Sequence, residues 1–408
     1  MVWQFASRYL RAKKSTQAIN IISWVSISAI TIGAAALIIV LSVFNGFENL
    51  VKSLYSSFYP EIRISPAEGK TMLVPASKLD SLQKLNEVKS VSKSLQEKAL
   101  LKYNDEKTIA ILKGVDLHFA QVTGISGKIV RGTFNTGNVD TPKAVVGIGI
   151  EAALGIDVER SFIPMLIYLP RANVESFVFP EQAFYVGQIS PDGTFAIQQD
   201  FDNQYVITSL AYMQRLMGMP SNRVSELEVT LNPGTDLKQA KTDISKIFGE
   251  KNYLVQTRYE QNRSLYQVMQ TEKWFVYAIL LFIFAIAAFN MIGCLSMLVI
   301  EKRRDITILK AMGARYSLIQ RIFLTEGLLI ALVGAGAGTI LAILICLGQQ
   351  KYGWVKLGGG TFVVDSYPVN MQYTDFILVW VTILLIALLA SWYPSLKASQ
   401  QPVDLKAE

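Results

Sequence analysis

The sequence predicts a membrane protein with four transmembrane α-helices and a large α+β domain inserted between the first two. Three observations carry this fold class. The 408-residue chain is 51% hydrophobic, has a mean hydropathy of +0.32 and is 17% charged, against about 25% for soluble domains. Four runs carry no charge: between Lys14 and Glu48, Lys273 and Glu301, Glu326 and Lys351, and Asp375 and Lys397. The first run stands alone near the start and the other three crowd the end, so everything from Glu48 to Glu272 is one insertion.

Each charge-free run reaches the roughly 20 residues needed to cross about 30 Å of hydrocarbon. A helix is the form that satisfies every backbone polar group in lipid. The segmentation is 1–18 as a cytoplasmic amphipathic segment and 19–46 as the first span. The inserted domain follows at 47–270 and the second span at 271–300. A cytoplasmic helix at 301–317 leads to the third span at 318–349. An outer loop at 350–373, the fourth span at 374–394 and a cytoplasmic tail at 395–408 complete the chain. No charge is expected in the apolar core of a span, which argues against an ion pathway. The first run exceeds a signal-peptide core, despite the small residues of "GAAAL". "FIPMLIYLP" is too short to span and reads as a buried strand.

The basic residues set the orientation. "RYLRAKK" precedes the first span, "EKRRD" with Lys310, Arg315 and Arg321 follows the second, and Lys397 and Lys406 follow the fourth. With four spans all three clusters share one side, the cytoplasm, so both termini are cytoplasmic and the inserted domain lies outside. The net charge of +7 gathers at these edges, which suits membrane lipid and excludes nucleic acid as a partner.

Within the insertion, "EIRIS", "TIAILKGV", "PMLIYLP", "AFYVGQIS" and "VSELEVTLN" alternate as strands. Ala76–Val88, Val145–Ile156 and Asp236–Gly249 read as helices, and Ser190–Thr194, "SPDGT", as a turn. Cys294 and Cys346 fall inside spans as small apolar fillers, and His118 has no companion ligand. No metal, cofactor or catalytic residue is expected: a Walker lysine motif and nucleophile–base arrangements are absent, and "LGGGT" is an outer loop.

The stretch "EKRRDITILKAMGA" demands another account. At 100° per residue Arg303 and Lys310 share one helix face, with Ile308, Leu309 and Met312 on roughly the other. Gly313 supplies the left-handed stop. A short amphipathic helix joined to two spans is either an interfacial elbow or a lever pushed by a cytoplasmic partner.

At these residues the chain resembles a known family. "SRYLRAKKSTQAINIISWVSISAITIGAAALIIVLSVFNGFE", the stretch from "EKRRDITILKAMGA" to "GQQKYGWVKL", "YPVNMQYTDF" and "ASWYPSLKASQQPVDLKAE" are similar to the lipoprotein-releasing system permeases LolC and LolE. These belong to the MacB/FtsX-like superfamily. The resemblance implies a MacB-like type VII ABC permease of the bacterial inner membrane. It implies a LolD-like ATPase dimer in the cytoplasm and a second permease subunit, either itself or a paralogue. Its cargo would be triacylated lipoproteins, handed by mechanotransmission to a LolA-like periplasmic chaperone.

The resemblance also implies roles for residues. Glu301, Lys302, Arg303, Arg304, Asp305, Ile308, Leu309, Lys310, Met312, Gly313, Ala314 and Arg315 would couple to the ATPase. A chaperone hook would have its tip at Arg171–Glu181, with Arg171, Phe177, Val178, Phe179, Pro180 and Glu181. "DVER" stands where the family carries "GD" before the strand leading to that hook. An acyl cavity would draw on Val40, Val43, Phe44 and Phe47 with Met269, Trp274, Phe275 and Ile279. Three acyl chains with about forty methylenes would cost roughly 30 kcal/mol to place in water, so a receiving apolar cavity is needed. The alternatives are a MacB- or FtsX-like permease for efflux or for regulating cell-wall hydrolases, and a membrane scaffold without transport.

Overall fold

The computed structural model describes residues 17–160, 163–171, 183–249, 251–357 and 366–401. The chain divides into two compact units: Met1–Leu50, Gln267–Lys356 and Ser366–Glu408 form one, and Val51–Tyr266 with Leu357–Asp365 the other.

The first unit is built from long apolar helices. These are α1 (Gln17–Ser56), α9 (Arg263–Glu301), α11 (Tyr316–Tyr352) and α12 (Tyr373–Ser399), with the short α10 (Arg303–Ala311) between α9 and α11. All four long helices are long and apolar enough to cross a membrane; the shortest, at 27 residues, runs about 40 Å. Ile30, Leu37, Ile38 and Leu41 of α1 pack with Met291 and Leu295 of α9, Ile330 of α11 and Ile383 of α12. The glycines of "GAGAG" let two backbones close: a Cβ on Gly338 would stand 2.6 Å from the Thr31 carbonyl oxygen.

One expectation fails here. Glu326 lies inside α11 and is fully buried. The charge-free run starts only after Glu326, but the span at 318–349 already takes the acid in, and the helix, from Tyr316 to Tyr352, encloses it.

The second unit is mixed. Its strands are β1 (Ile62–Pro66), β2 (Met72–Leu73), β3 (Val88–Tyr103), β4 (Glu106–Val115), β5 (Ile129–Gly132) and β6 (Lys143–Gly147). β7 (Met165–Pro170), β8 (Phe184–Phe195), β9 (Tyr205–Ser209), β10 (Arg223–Val224), β11 (Glu226–Leu231) and β12 (Tyr253–Thr257) follow. The helices are α2 (Ala76–Gln83), α3 (Phe119–Val122), α4 (Ile148–Leu154), α5 (Gln199–Asp202), α6 (Leu210–Leu216), α7 (Leu237–Phe248) and α8 (Arg258–Gln261).

Ten strands form one sheet in the order β12-β1-β11-β3-β4-β9-β6-β8-β5, with β7 paired to both β3 and β8. That double pairing closes a circuit through β3, β4, β9, β6, β8 and β7. Met165, Ile167 and Leu169 of β7 are fully buried while the residues between them are not, the period-two signature of a strand with one face on the core. Tyr212 of α6 donates from its hydroxyl to the Gln188 carbonyl at 2.8 Å, seated over Gly187.

Three element boundaries differ from expectation. Ser190–Thr194 continues β8 rather than turning, and the β6–β8 register shifts between Ala144 and Val145. Pro191 has no N–H to donate and is tolerated at that irregularity. Gly193 is needed there, since its Cβ would meet the Thr133 carbonyl at 2.2 Å. Val145–Ile156 splits at Gly147 into β6 and α4, the apolar run serving both. The helix from Ala76 stops at Gln83, and Val88 already opens β3.

A buried ion pair crosses this sheet. Lys113 Nζ lies 2.8 Å from Glu228 Oε1, with the side chains 4% and 0% exposed. Ser94 donates to the same oxygen at 2.8 Å. The Phe58 and Phe119 rings flank the ammonium at 4.8 and 5.0 Å. Next to it, burial pushes the Glu226 carboxyl up against the opposing pull of Lys113 and Arg63.

Candidate functional site

The link between α9 and α11 is a separate, capped helix. Lys302 leaves helical geometry at φ −82°, ψ 13°, and α10 starts afresh at Arg303. At its far end Gly313 takes φ +87°. The Gly313 N–H donates to the Lys310 carbonyl at 2.9 Å and the Ala314 N–H to the Leu309 carbonyl at 3.0 Å. This pair of bonds is the Schellman closure that a left-handed glycine permits.

Two side chains anchor the helix. Ile306 is 2% exposed, packed with Leu298, Val299, Ile319, Phe323 and Ala398. Lys310 donates from Nζ to the Ser399 carbonyl at 2.9 Å and also to Gln401, so it caps the end of α12. Its ammonium stands 4.8 Å from the Tyr316 ring, and burial lowers its pKa.

The helix is therefore turned differently from the wheel reading. Lys310 points inward, while Ile308 and Met312 are 58% and 75% exposed. Arg303, Arg304, Gly313 and Arg315 are exposed beside them; Glu301, Lys302, Asp305, Leu309 and Ala314 are half-buried. The wheel found the amphipathic period but could not tell which side meets the helix ends. Ile306 was missed because one isoleucine among charges gives no stripe. The outward face combines arginines with two unsupported apolar side chains, a pattern that fits a groove with acidic walls and an apolar floor.

The hairpin leading to the expected hook is regular. β7 and β8 pair antiparallel from Met165↔Ile189 to Pro170↔Phe184. The Arg171 N–H then bonds the Ala183 carbonyl at 2.9 Å, and the Arg171 guanidinium covers the Tyr185 ring at 4.7 Å. Phe177, Val178, Phe179, Pro180 and Glu181 lie outside the described residues.

The residues expected to receive acyl chains split by helix. Val40, Val43, Phe44 and Phe47 on α1 and Met269 on α9 are half-buried. Trp274, Phe275 and Ile279 on α9 are about two-thirds exposed (66%, 66% and 62%). Within the same unit lies a polar bridge that charge counting passed over. Lys273 donates to Asn45 Oδ1 at 2.8 Å, and Asn45 Nδ2 donates to Asp375 Oδ2. Asn45 and Asp375 are buried, so the bridge ties α1, α9 and α12 at one level. Gly46 beside it presses on the Pro368 carbonyl, where a Cβ would stand 2.1 Å away. Asn45 and Asp375 flank two apolar runs in the sequence, and only their pairing reveals the role.

Comparison with known proteins bears on both units. Residues 23–247 match the MacB-like periplasmic core domain, and residues 277–403 the FtsX-like permease C-terminal region. The chain is 24% identical over 410 residues to the lipoprotein-releasing system transmembrane protein LolE of Haemophilus influenzae, covering 98% of this chain and 97% of that protein. It is 26% identical over 410 residues to the corresponding LolC of Neisseria meningitidis serogroup B, covering 97% and 96%. Among solved structures, the periplasmic region of MacB from Actinobacillus actinomycetemcomitans superposes with a TM-score of 0.37 at 11% identity, covering 53% of this chain and 97% of that one.

Proposed function

The chain belongs to the family that carries the MacB-like periplasmic core domain, joined here to an FtsX-like permease region, and from that membership we propose that it is the permease subunit of an ATP-driven transporter that releases lipoproteins from the inner membrane. A separate ATPase supplies the energy by docking on α10. The cargo passes to a chaperone that engages the β7–β8 hairpin, and both termini lie in the cytoplasm. The lipoprotein cargo follows the names borne by the LolE and LolC relatives.

The observation that carries the reading is the build of α10. It is held by Ile306 inside and Lys310 on α12, yet it turns Arg304, Ile308, Met312 and Arg315 outward. A push on that face is not absorbed by local slack, because α10 is closed at its C-terminal end by Gly313, anchored by Ile306 and Lys310, and joined to continuous helices, α9 and α11. The chain of α9 leads back into β12, so displacement of the helix is delivered to the sheet unit along the backbone. Acyl chains are kept from water during transfer by apolar side chains, since each exposed methylene costs about 0.8 kcal/mol.

The test replaces Arg304→Glu together with Met312→Glu in the reconstituted complex. Stimulated ATP hydrolysis is expected to fall at least tenfold with membrane insertion unchanged. Wild-type stimulation in this variant, or recovery of the chain from native membranes with no Walker-type ATPase, refutes the coupling role.

A further inference from the structure

Glu326 is an anomaly in α11. Its side chain is 0% exposed, and among the described residues neither carboxyl oxygen has a hydrogen-bond partner. An ionisable group left alone in the interior of a helix bundle is costly and marks function by default. Lys302 is the cation placed to reach it: Leu298, one turn before Lys302 on α9, packs with Phe323, one turn before Glu326 on α11, and the Leu295 side chain meets Gly327, so the two helices run in opposite senses here, and side chains that lean toward their own helix N-termini lean toward each other. Lys302 is the residue at which α9 breaks and α10 begins. In the structure its ammonium sits 3.8 Å from Asp305 Oδ2, one turn along α10, and Asp305 is 44% exposed.

Glu326 itself is held in place. At the adjacent Gly327 a Cβ would stand 1.9 Å from Ser391 Oγ, so α11 and α12 are pressed together at this level. The ammonium on its four-carbon stem is the partner able to move.

We propose that Lys302 and Glu326 are positioning residues of the coupling step, with Lys302 exchanging a half-buried acceptor, Asp305 on α10, for a fully buried one, Glu326 on α11, when a partner engages α10. The inference rests on the coupling role of α10 proposed above. Engagement of Asp305 by the partner, or rotation at the α9–α10 break, frees the ammonium. Pairing with Glu326 then satisfies the buried carboxylate and locks the break in its new geometry. Two discrete arrangements of one side chain supply the bistable element that a coupled motion requires.

The full-length chain is reconstituted with its ATPase as wild type, Glu326→Gln, Lys302→Gln and the exchanged pair Lys302→Glu/Glu326→Lys. Each single replacement is expected to lower cargo-stimulated hydrolysis at least fivefold with subunit recovery unchanged, and the exchanged pair to return to within twofold of wild type. Single variants within twofold of wild type overturn the proposal, as does an exchanged pair that assembles but does no better than either single.

A second measurement serves if the exchanged pair does not assemble. Lys302→Cys/Glu326→Cys is placed in a Cys294→Ala/Cys346→Ala background and treated with a short bis-maleimide. Cross-linking is expected to rise at least threefold when the ATPase and a non-hydrolysable nucleotide are present, and an unchanged yield overturns the switch. If Arg304→Glu/Met312→Glu abolishes stimulation while the Lys302 and Glu326 variants do not, the switch alone falls. If neither set has an effect, the coupling reading beneath it falls as well.

Discussion

Replacing Lys113 by methionine removes the cation of a pair that has no access to water. The stem length is nearly kept and the Phe58 and Phe119 rings still have an apolar neighbour, so the perturbation is electrostatic. Glu228, 0% exposed, is left with the Ser94 hydroxyl as its donor among the described residues. Breaking a buried pair by removing one partner costs about 3–5 kcal/mol, because the other charge is stranded. For a unit spanning Val51–Tyr266, each kcal/mol moves the melting temperature by about 2–4 °C, so a fall of roughly 6–20 °C is expected. Lys113→Met combined with Glu228→Gln removes both charges and should recover most of that loss, to within about 4 °C of wild type. Thermal melts of the full-length protein in detergent, with hydrogen exchange read on β3 and β4, measure both variants. A single variant melting within about 2 °C of wild type, or a double variant no better than the single, refutes the view that the pair is electrostatically committed.

Three further outcomes are expected. Burial pushes the Asp202 carboxyl up to about 6 even though its Oδ1 accepts the Ile197 N–H at 2.9 Å. A raised acid stabilises the fold below its unfolded value near 4 and loses that contribution as pH rises through 6. Asp202→Asn should therefore leave the melting temperature unchanged at pH 4 and raise it by about 2 °C at pH 8, for a solvent-discounted gain of about 1 kcal/mol. Gly46→Ala places a methyl against the Pro368 backbone and should cost about 1–3 kcal/mol, read as a lower melting temperature in detergent; an unchanged melt would show that Pro368 yields freely. Ile306→Ala removes the buried anchor of α10 at a cost of about 2–5 kcal/mol, so the α10 amides should exchange at least about tenfold faster, whereas wild-type exchange would show that Lys310 alone holds the helix.

The long helices were legible in the sequence because lipid imposes a strict condition: a charge-free length or no span. The same condition hid the burial of Glu326: it lies within 318–349 but outside the charge-free run, and a rule that reads only such runs cannot tell a carboxyl folded inside from one at the membrane edge. β7 and the start of β8 were readable from alternation, and the hairpin base followed. β3 was not, because "VKSVSKSLQEKALLKY" pairs with β11, β4 and β7 in turn and is polar on its open face. Pro191 and Gly193 spelled a turn to any local rule; only the neighbouring β6 and β5 strands make them an irregular ladder. In α10 the period was visible, yet the inward turn of Lys310 depends on the Ser399 carbonyl 89 residues away in sequence. What could be read was fixed locally or by the solvent; what could not was fixed by partners distant along the chain.

The circuit of strands beneath the β7–β8 hairpin has a mechanical meaning. A hairpin on the rim of an open sheet can be unzipped one bond at a time by a pull at its tip. Here β7 is stitched to β3 on one side and β8 on the other, and β8 runs on into β6 and β5. A load along the two strands meets the β7–β3 and β8–β6 bonds in shear, several at once, rather than one at a time.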